Sequence, residues 1–217
     1  MATRYHHGDL AAALVTAGVE LARESGPDGV VLREATRRVG VSPTAAYRHF
    51  ADRQSLLAAV AQQARESLAD AMVSAVAEVP GRSGRRRAFA RLQATGRAYV
   101  RFALAEPGLF RTGFAGFGPA WKGEQVAQAG QAATPGDAGG SAAEPRGDRA
   151  YAVLTAALDE LVDTGALPAA RRPGAEAAAW SAVHGLSLLL LDEVLVPAGT
   201  DPEPVIELTL RMVADGL

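Results

Sequence analysis

The chain has 217 residues, with 24 acidic against 22 basic side chains, a formal net charge of −2 and no cysteine. The last point excludes disulfides, thiolate-bound zinc, iron–sulfur clusters and thiol catalysis. A hydrophobic share of 48% with 21% charged residues describes a globular chain rather than a disordered one.

The longest apolar stretch, Val183 to Val196, is interrupted by Asp192 and Glu193. It falls short of the roughly 20 apolar residues that a membrane span needs, and the N-terminus lacks the apolar centre of a secretion signal. The expectation is a cytoplasmic protein with no membrane partner. The charge is unevenly spread: residues 30–53 and 82–111 are basic, whereas residues 150–217 carry ten acids against three arginines. Such asymmetry points either to an anionic partner for the basic half or to two solvated faces.

In chain order the pattern is helical throughout. Leu10, Leu14, Ala17 and Leu21 step by four, three and four, which is one helix face. Gly26-Pro27-Asp28-Gly29 stops that helix. A short segment over Leu32–Val39 ends at Gly40. Ser42 reads as the cap of the next helix, with Pro43 at its first position and its end near Phe50. Asp52 caps a long helix whose apolar stripe is Leu57, Val60, Ala64, Leu68, Ala71 and Ala75, closing before Pro80-Gly81. Further helices are predicted over Arg85–Ala105, ended by Pro107-Gly108, over Leu109–Phe117 as a short helix or turn, and over about Arg149–Thr164, Gly174–Val196 and Glu203–Asp215. Residues 122–148, rich in Gly, Pro and Ala, cannot bury enough to offset their ordering entropy and are predicted to be a mobile loop. No alternation of period two appears, so the fold class is all-α.

Residues 32–50 have the layout of a DNA-binding helix-turn-helix: a short helix, a Gly-Val-Ser turn and a second short helix. Gly40 suits the left-handed backbone of such a turn. The second helix carries small residues that permit close approach to a groove. Thr44, Tyr47, Arg48 and His49 are donors able to reach phosphates. Arg33 and Thr44 are placed for base edges, since Arg can bond guanine with two donors and Thr offers a methyl and a hydroxyl. Pro43 is a candidate for contact with a thymine methyl.

The run Leu32 to Phe50, followed by Ala51-Asp52-Arg53-Gln54-Ser55-Leu56-Leu57, closely resembles the tetracycline-repressor family of bacterial transcriptional regulators. The resemblance is carried by the Gly-Val-Ser turn, the Tyr-x-His-Phe sequence and the cation three residues after that Phe. Tyr5-His6-His7-Gly8-Asp9-Leu10 is similar to one subset of the family, and Trp180-x-x-x-His184-Gly185 is similar to the C-terminal ligand domain of that subset.

The resemblance implies a three-helix DNA-binding domain over residues 1–52, joined by a long helix to a ligand-binding and dimerisation domain over 53–217. It implies phosphate contacts from Tyr47, His49 and Arg53, the last also lying where helix amides can face a phosphate. It implies a homodimer on double-stranded DNA, matched to a palindromic operator, and release by a small, largely apolar effector. Three positions depart from the family pattern: Val31 stands where a capping Thr is usual, and Ala35 and Ala46 where bulky aliphatics are usual. Arg4 could reach the DNA backbone as an arm. Arg37 and Arg38 read as a solvated helix face, and Phe50 as core.

Seven of the twelve aromatic residues fall between Phe89 and Trp121. Tyr99, Phe102, Phe110, Phe114, Phe117 and Trp121, with Trp180 and His184 one helical turn apart, are the candidate effector pocket. Core packing is the competing reading for Trp180 and His184. Arg85-Arg86-Arg87 reads as a solvated cluster or as a partner for the acidic half. The leucines of the Ala177–Val194 stretch and the last helix cover more than one face, which suits a dimer bundle. His6-His7 point apart and lack a third ligand, so no metal is expected. No catalytic signature is present, so neither an enzyme nor a cofactor is expected. The alternative is a helical dimeric adaptor or structural protein with no effector.

Overall fold

The computed structural model describes residues 7–115, 149–197 and 199–217, with side chains from Leu10 onward. Among these residues all regular structure is helical. The order is α1 (His7–Gly29), α2 (Leu32–Val39), α3 (Pro43–Ala46), α4 (Arg53–Ala77), α5 (Arg85–Ala105), α6 (Pro107–Gly113), α7 (Arg149–Asp163), a 3₁₀ turn (Ala169–Arg171), α8 (Ala175–Leu191) and α9 (Glu203–Gly216).

Two compact units emerge. One contains the chain up to Ser67 together with Ala105–Ala115; the other contains Leu68–Leu104 and the chain after Ala115. The single helix α4 therefore contributes to both. In the first unit Leu14, Ala22, Val30, Leu56 and Val60 are fully buried. In the second, Leu158, Leu161 and Ile206 are.

Local sequence explains most boundaries. Gly26 breaks α1 with φ 65°, and Pro27 follows it. Asp52 Oδ1 accepts from the Ser55 amide at 2.8 Å while Ser55 Oγ accepts from the Asp52 amide at 3.2 Å, a reciprocal cap for α4. Several boundaries differ from expectation: α3 ends at Ala46 rather than near Phe50, and two others have a clear local cause. Pro107 opens α6 instead of separating helices, because the first position of a helix has no amide to satisfy. Helix α8 ends at Leu191, five residues before the expected Val196. Asp192 leaves helical geometry, Glu193 turns left-handed at φ 55°, and the Val194 amide donates back to Leu189 O at 2.9 Å.

Helix α6 belongs with α1 and α4 in the first unit. The Cβ that Gly108 lacks would lie 2.2 Å from Ala22 O and 2.9 Å from Arg23 O, so only glycine permits this approach. Arg23 Nε donates to both Glu106 oxygens at 3.2 and 3.0 Å beside it. At the other end of α6, Arg65 donates to Gly113 O at 2.8 Å.

Candidate DNA interface and C-terminal cavity

Helix α2 ends on Gly40 at φ 74°, the left-handed residue the turn requires. Ser42 then caps α3: its hydroxyl accepts from the Ala45 amide at 3.3 Å, and Pro43 occupies the first turn. The ordered helix is short. Residues 47–49 continue as turn, held by the Tyr47 amide on Pro43 O (3.0 Å) and the Phe50 amide on Ala46 O (2.9 Å). Ala35 and Ala46 are both fully enclosed, and Phe50 is buried, so the outer face is left to the polar residues. On that face Arg33, Pro43, Thr44, Tyr47 and Arg48 are exposed and His49 is half-buried. Tyr47, a bulky aromatic, keeps 54% of its surface in solvent.

The cations of this region divide into two groups. Arg37 is clamped by Glu34, Nε at 3.0 Å and Nη2 at 2.6 Å. Arg38 forks onto Glu24 of α1 at 2.9 and 2.5 Å. These hydrogen bonds hold the Glu34 and Glu24 carboxyls below their ordinary range. Among the described residues the side chains of Arg33 and Arg48 have neither an ion pair nor a hydrogen bond, so their charge is uncompensated. Arg53 is engaged in an unexpected way. Its Nε donates to Val30 O at 3.0 Å and its Nη2 to Pro27 O at 2.6 Å, across the loop between α1 and α2. Nothing in the local pattern of residues 27–30 signals this contact, which spans more than twenty positions. Val31 caps α2 with no side-chain hydrogen bond.

In the second unit the basic α5 and the acidic C-terminal region neutralise one another. Arg91 pairs with Glu160 at 2.6 Å, Arg97 with Glu207 at 2.5 Å and Arg101 with Glu203 at 2.9 Å. The hydrogen bond from Arg97 holds the Glu207 carboxyl below its ordinary value. Much of the charge asymmetry read from the sequence is thus internal ion pairing.

The candidate pocket residues separate. Tyr99, Trp180 and His184 come together: the Tyr99 hydroxyl lies 2.8 Å from His184 Nδ1, and its ring meets Trp180 edge-on at 5.1 Å. Tyr151, absent from the sequence-derived set, joins them with its ring 5.8 Å from Trp180. Its position on α7, far along the chain from the aromatic cluster, hid it. Burial, and then the Glu176 charge, push the Tyr151 hydroxyl pKa up.

Of these rings, Tyr99 and Trp180 border a cavity of about 30 Å³ lined also by Met72, Leu92, Gln93, Thr95, Leu154, Val183, Leu210 and Val213. Gly96 forms one wall: a Cβ there would meet Leu210 Cδ2 at 2.5 Å. Among the described residues no charged side chain lines the space. Phe110 and Phe114 instead belong to the first unit, 5.0 Å apart. Phe102 is half-buried on α5 with no ring partner among the described residues. Phe117, Trp121, the 122–148 segment, Arg4 and His6 lie outside the described residues.

The chain matches two family models: bacterial regulatory proteins, tetR family, over residues 14–60, and the tetracyclin repressor-like C-terminal domain over residues 92–213. A curated relative, the uncharacterized HTH-type transcriptional regulator YobS of Bacillus subtilis (strain 168), is 30% identical over 97 residues. That match covers 45% of this chain and 47% of the relative, so the chain spans about half the length of the curated regulator it matches. Among solved structures, a protein of unknown function from Rhodococcus sp. RHA1 superposes with a TM-score of 0.71 at 25% identity, covering 100% of this chain and 99% of that one. FadR, a transcriptional regulator from Bacillus subtilis in complex with stearoyl-CoA, superposes with a TM-score of 0.60 at 13% identity over 95% and 98% of the two chains, a likeness of fold alone. With a helix-turn-helix at residues 32–50 and the C-terminal family model matching more than half of the sequence, the chain belongs to the tetracycline-repressor family of DNA-binding transcriptional regulators.

Proposed function

We propose that the protein is a repressor that binds a palindromic operator as a homodimer and is released by a small, largely apolar, uncharged effector. In this reading residues 1–52 bind DNA and residues 53–217 bind the effector and the second copy. The observation that carries it is the polar face of the helix-turn-helix: uncompensated Arg33 and Arg48 beside exposed Pro43, Thr44 and Tyr47. Tyr47, Arg48, His49 and Arg53 take phosphates, and Arg33 and Thr44 take base edges. Exposed apolar side chains support the homodimer. Leu208 and Met212, four apart on α9, keep 49% and 66% of their surface in solvent, and Leu189 on α8 keeps 41%.

The effector reading is supported by the cavity beside Tyr99 and Trp180. Among the described residues its lining has polar side chains in Gln93, Thr95, Tyr99 and Trp180, none of them charged, which favours a neutral ligand over an anionic one such as the acyl-CoA bound by FadR. The present volume of about 30 Å³ is room for little more than a water. A ligand pocket needs on the order of 300 Å³, so effector binding requires a wall to move. The same small volume favours the second reading, a regulator with no effector.

One titration tests the DNA binding that both readings share. Binding of the purified protein to DNA from upstream of its own gene is followed by anisotropy at several salt concentrations. About six phosphate contacts per dimer give a log–log slope near −5. A steep slope with resistance to competitor DNA supports the specific repressor. Absence of salt-sensitive binding to any duplex removes it. Screening neutral aromatic compounds for release of the complex then decides between effector and no effector.

A further inference from the structure

We propose that Arg53 is a positioning residue for DNA recognition, which fixes the placement of the helix-turn-helix against α4 so that base reading depends on it. The proposal rests on the DNA-binding reading above.

The junction between α1 and α2 is anchored in the core by the buried Val30 side chain. Gly26 kinks the end of α1 in a left-handed conformation, and the Val30 amide donates to Pro27 O at 3.3 Å. Helix α2 is then capped by Val31, which has no side-chain oxygen to bond its first amides. The two carbonyls at the ends of this loop, Pro27 O and Val30 O, are gathered by one guanidinium on the first turn of α4, at 2.6 and 3.0 Å. Asp28 adds a carboxylate 3.7 Å from the same Nη2. A guanidinium can do this because Nε–H and one Nη–H project in parallel from a rigid plane; an ammonium has its donors on a single atom.

The helix-turn-helix hangs directly from this loop. Val30 is one residue before the cap of α2, α2 carries Arg33, and the Gly40 turn carries α3 with Thr44. Any tilt at the loop therefore moves the candidate base-reading side chains together relative to α4. Bidentate base contacts tolerate such a shift poorly, whereas phosphate contacts through long side chains tolerate it well. Arg53 keeps 43% of its side chain exposed, and its Nη1 has no partner among the described residues, so the same group can meet a phosphate as well. Positioning and phosphate attraction are then two separable properties of one residue.

The test uses the full-length protein and Arg53→Lys, which keeps the charge and removes the fork. Two duplexes are compared by anisotropy over a range of salt: one enriched from a random library by the wild-type protein, and a scrambled duplex of the same composition. The expected result is a roughly tenfold or greater fall in affinity for the selected duplex, the size of one bidentate base pairing. Affinity for the scrambled duplex falls clearly less than for the selected one, the salt slope keeps its wild-type value because the charge is retained, and helicity is unchanged. Arg53→Gln, which removes the charge too, lowers the salt slope by about one for each phosphate no longer neutralised. Arg53→Lys matching wild type on both duplexes overturns the proposal, since Arg53 then meets only a phosphate. So does an equal fall on both duplexes, or a loss of helicity, since Arg53 then holds the fold and not the placement. If the wild-type protein itself shows no salt-sensitive binding to either duplex, the DNA-binding reading fails and takes the proposal with it.

Discussion

Two glycines test how the helices of this fold pack, because the same substitution meets different obstacles at each. At Gly108 an added Cβ would sit 2.2 Å from Ala22 O and 2.9 Å from Arg23 O. Both obstacles are backbone of α1, held in helical hydrogen bonds, so α6 must move by roughly 1 Å to restore van der Waals separation. That displacement also strains the Arg23–Glu106 pair at the same helix end. At Gly96 the Cβ would sit 2.5 Å from Leu210 Cδ2, the mobile end of a side chain that itself borders the cavity. Leu210 can turn into that space, and the mid-helix Gly→Ala change returns up to about 1 kcal/mol of helix propensity. Gly96→Ala is therefore expected to cost no more than about 1 kcal/mol, against overpacking penalties of about 1–3 kcal/mol where nothing yields. Gly108→Ala is expected to cost about 3 kcal/mol, a fall in Tm of about 6–12 °C for a chain of this size. Thermal unfolding followed by circular dichroism, with hydrogen exchange at α1 and α6, measures both. Equal losses at the two positions, or a larger loss at Gly96, would refute the reasoning.

Four further outcomes follow from the same geometry. Val31→Thr supplies the missing cap on α2 and should stabilise the DNA-binding unit by about 1 kcal/mol, seen as increased exchange protection of the first α2 amides. Glu207 has a folded pKa below its ordinary 4.5 because Arg97 donates to it. Its contribution is present above that value and is lost as pH falls through the folded pKa, so Glu207→Gln should flatten the acid side of the stability curve below about pH 4.5 and leave its neutral side parallel to wild type. Trp180→Ala removes ring packing against Tyr99 and Tyr151 and should cost about 3–5 kcal/mol in urea unfolding, while a folded preparation retains its DNA salt slope. Leu208→Glu with Met212→Glu should shift the sedimentation coefficient to that of a monomer; an unchanged dimer would place the interface elsewhere.

The short-range features of this protein were legible because each depends on residues within a few positions of one another. Gly40, Ser42-Pro43 and Asp52 specify a left-handed turn and two caps from local backbone geometry alone, and the structure places all three, adding Ser55 as the reciprocal partner of Asp52. The helix-turn-helix and the family were therefore readable from residues 32–57. Element ends were less so where a tertiary or left-handed conformation intervened, as at Glu193 and Pro107.

What the chain alone determined is the helical fold class, the recognition motif and the family, since helix periodicity and turn chemistry are local quantities. What tertiary structure decided is which charges and rings find one another. Arg53 meets carbonyls more than twenty positions away. The arginines of α5 meet acids some seventy to a hundred positions later. Phe110 and Phe114 part from Tyr99 because Gly108 lets α6 lie against α1. Sequence spacing sets which side chains share one helix face, but the partner of that face is chosen by packing between helices, where distance along the chain carries no information.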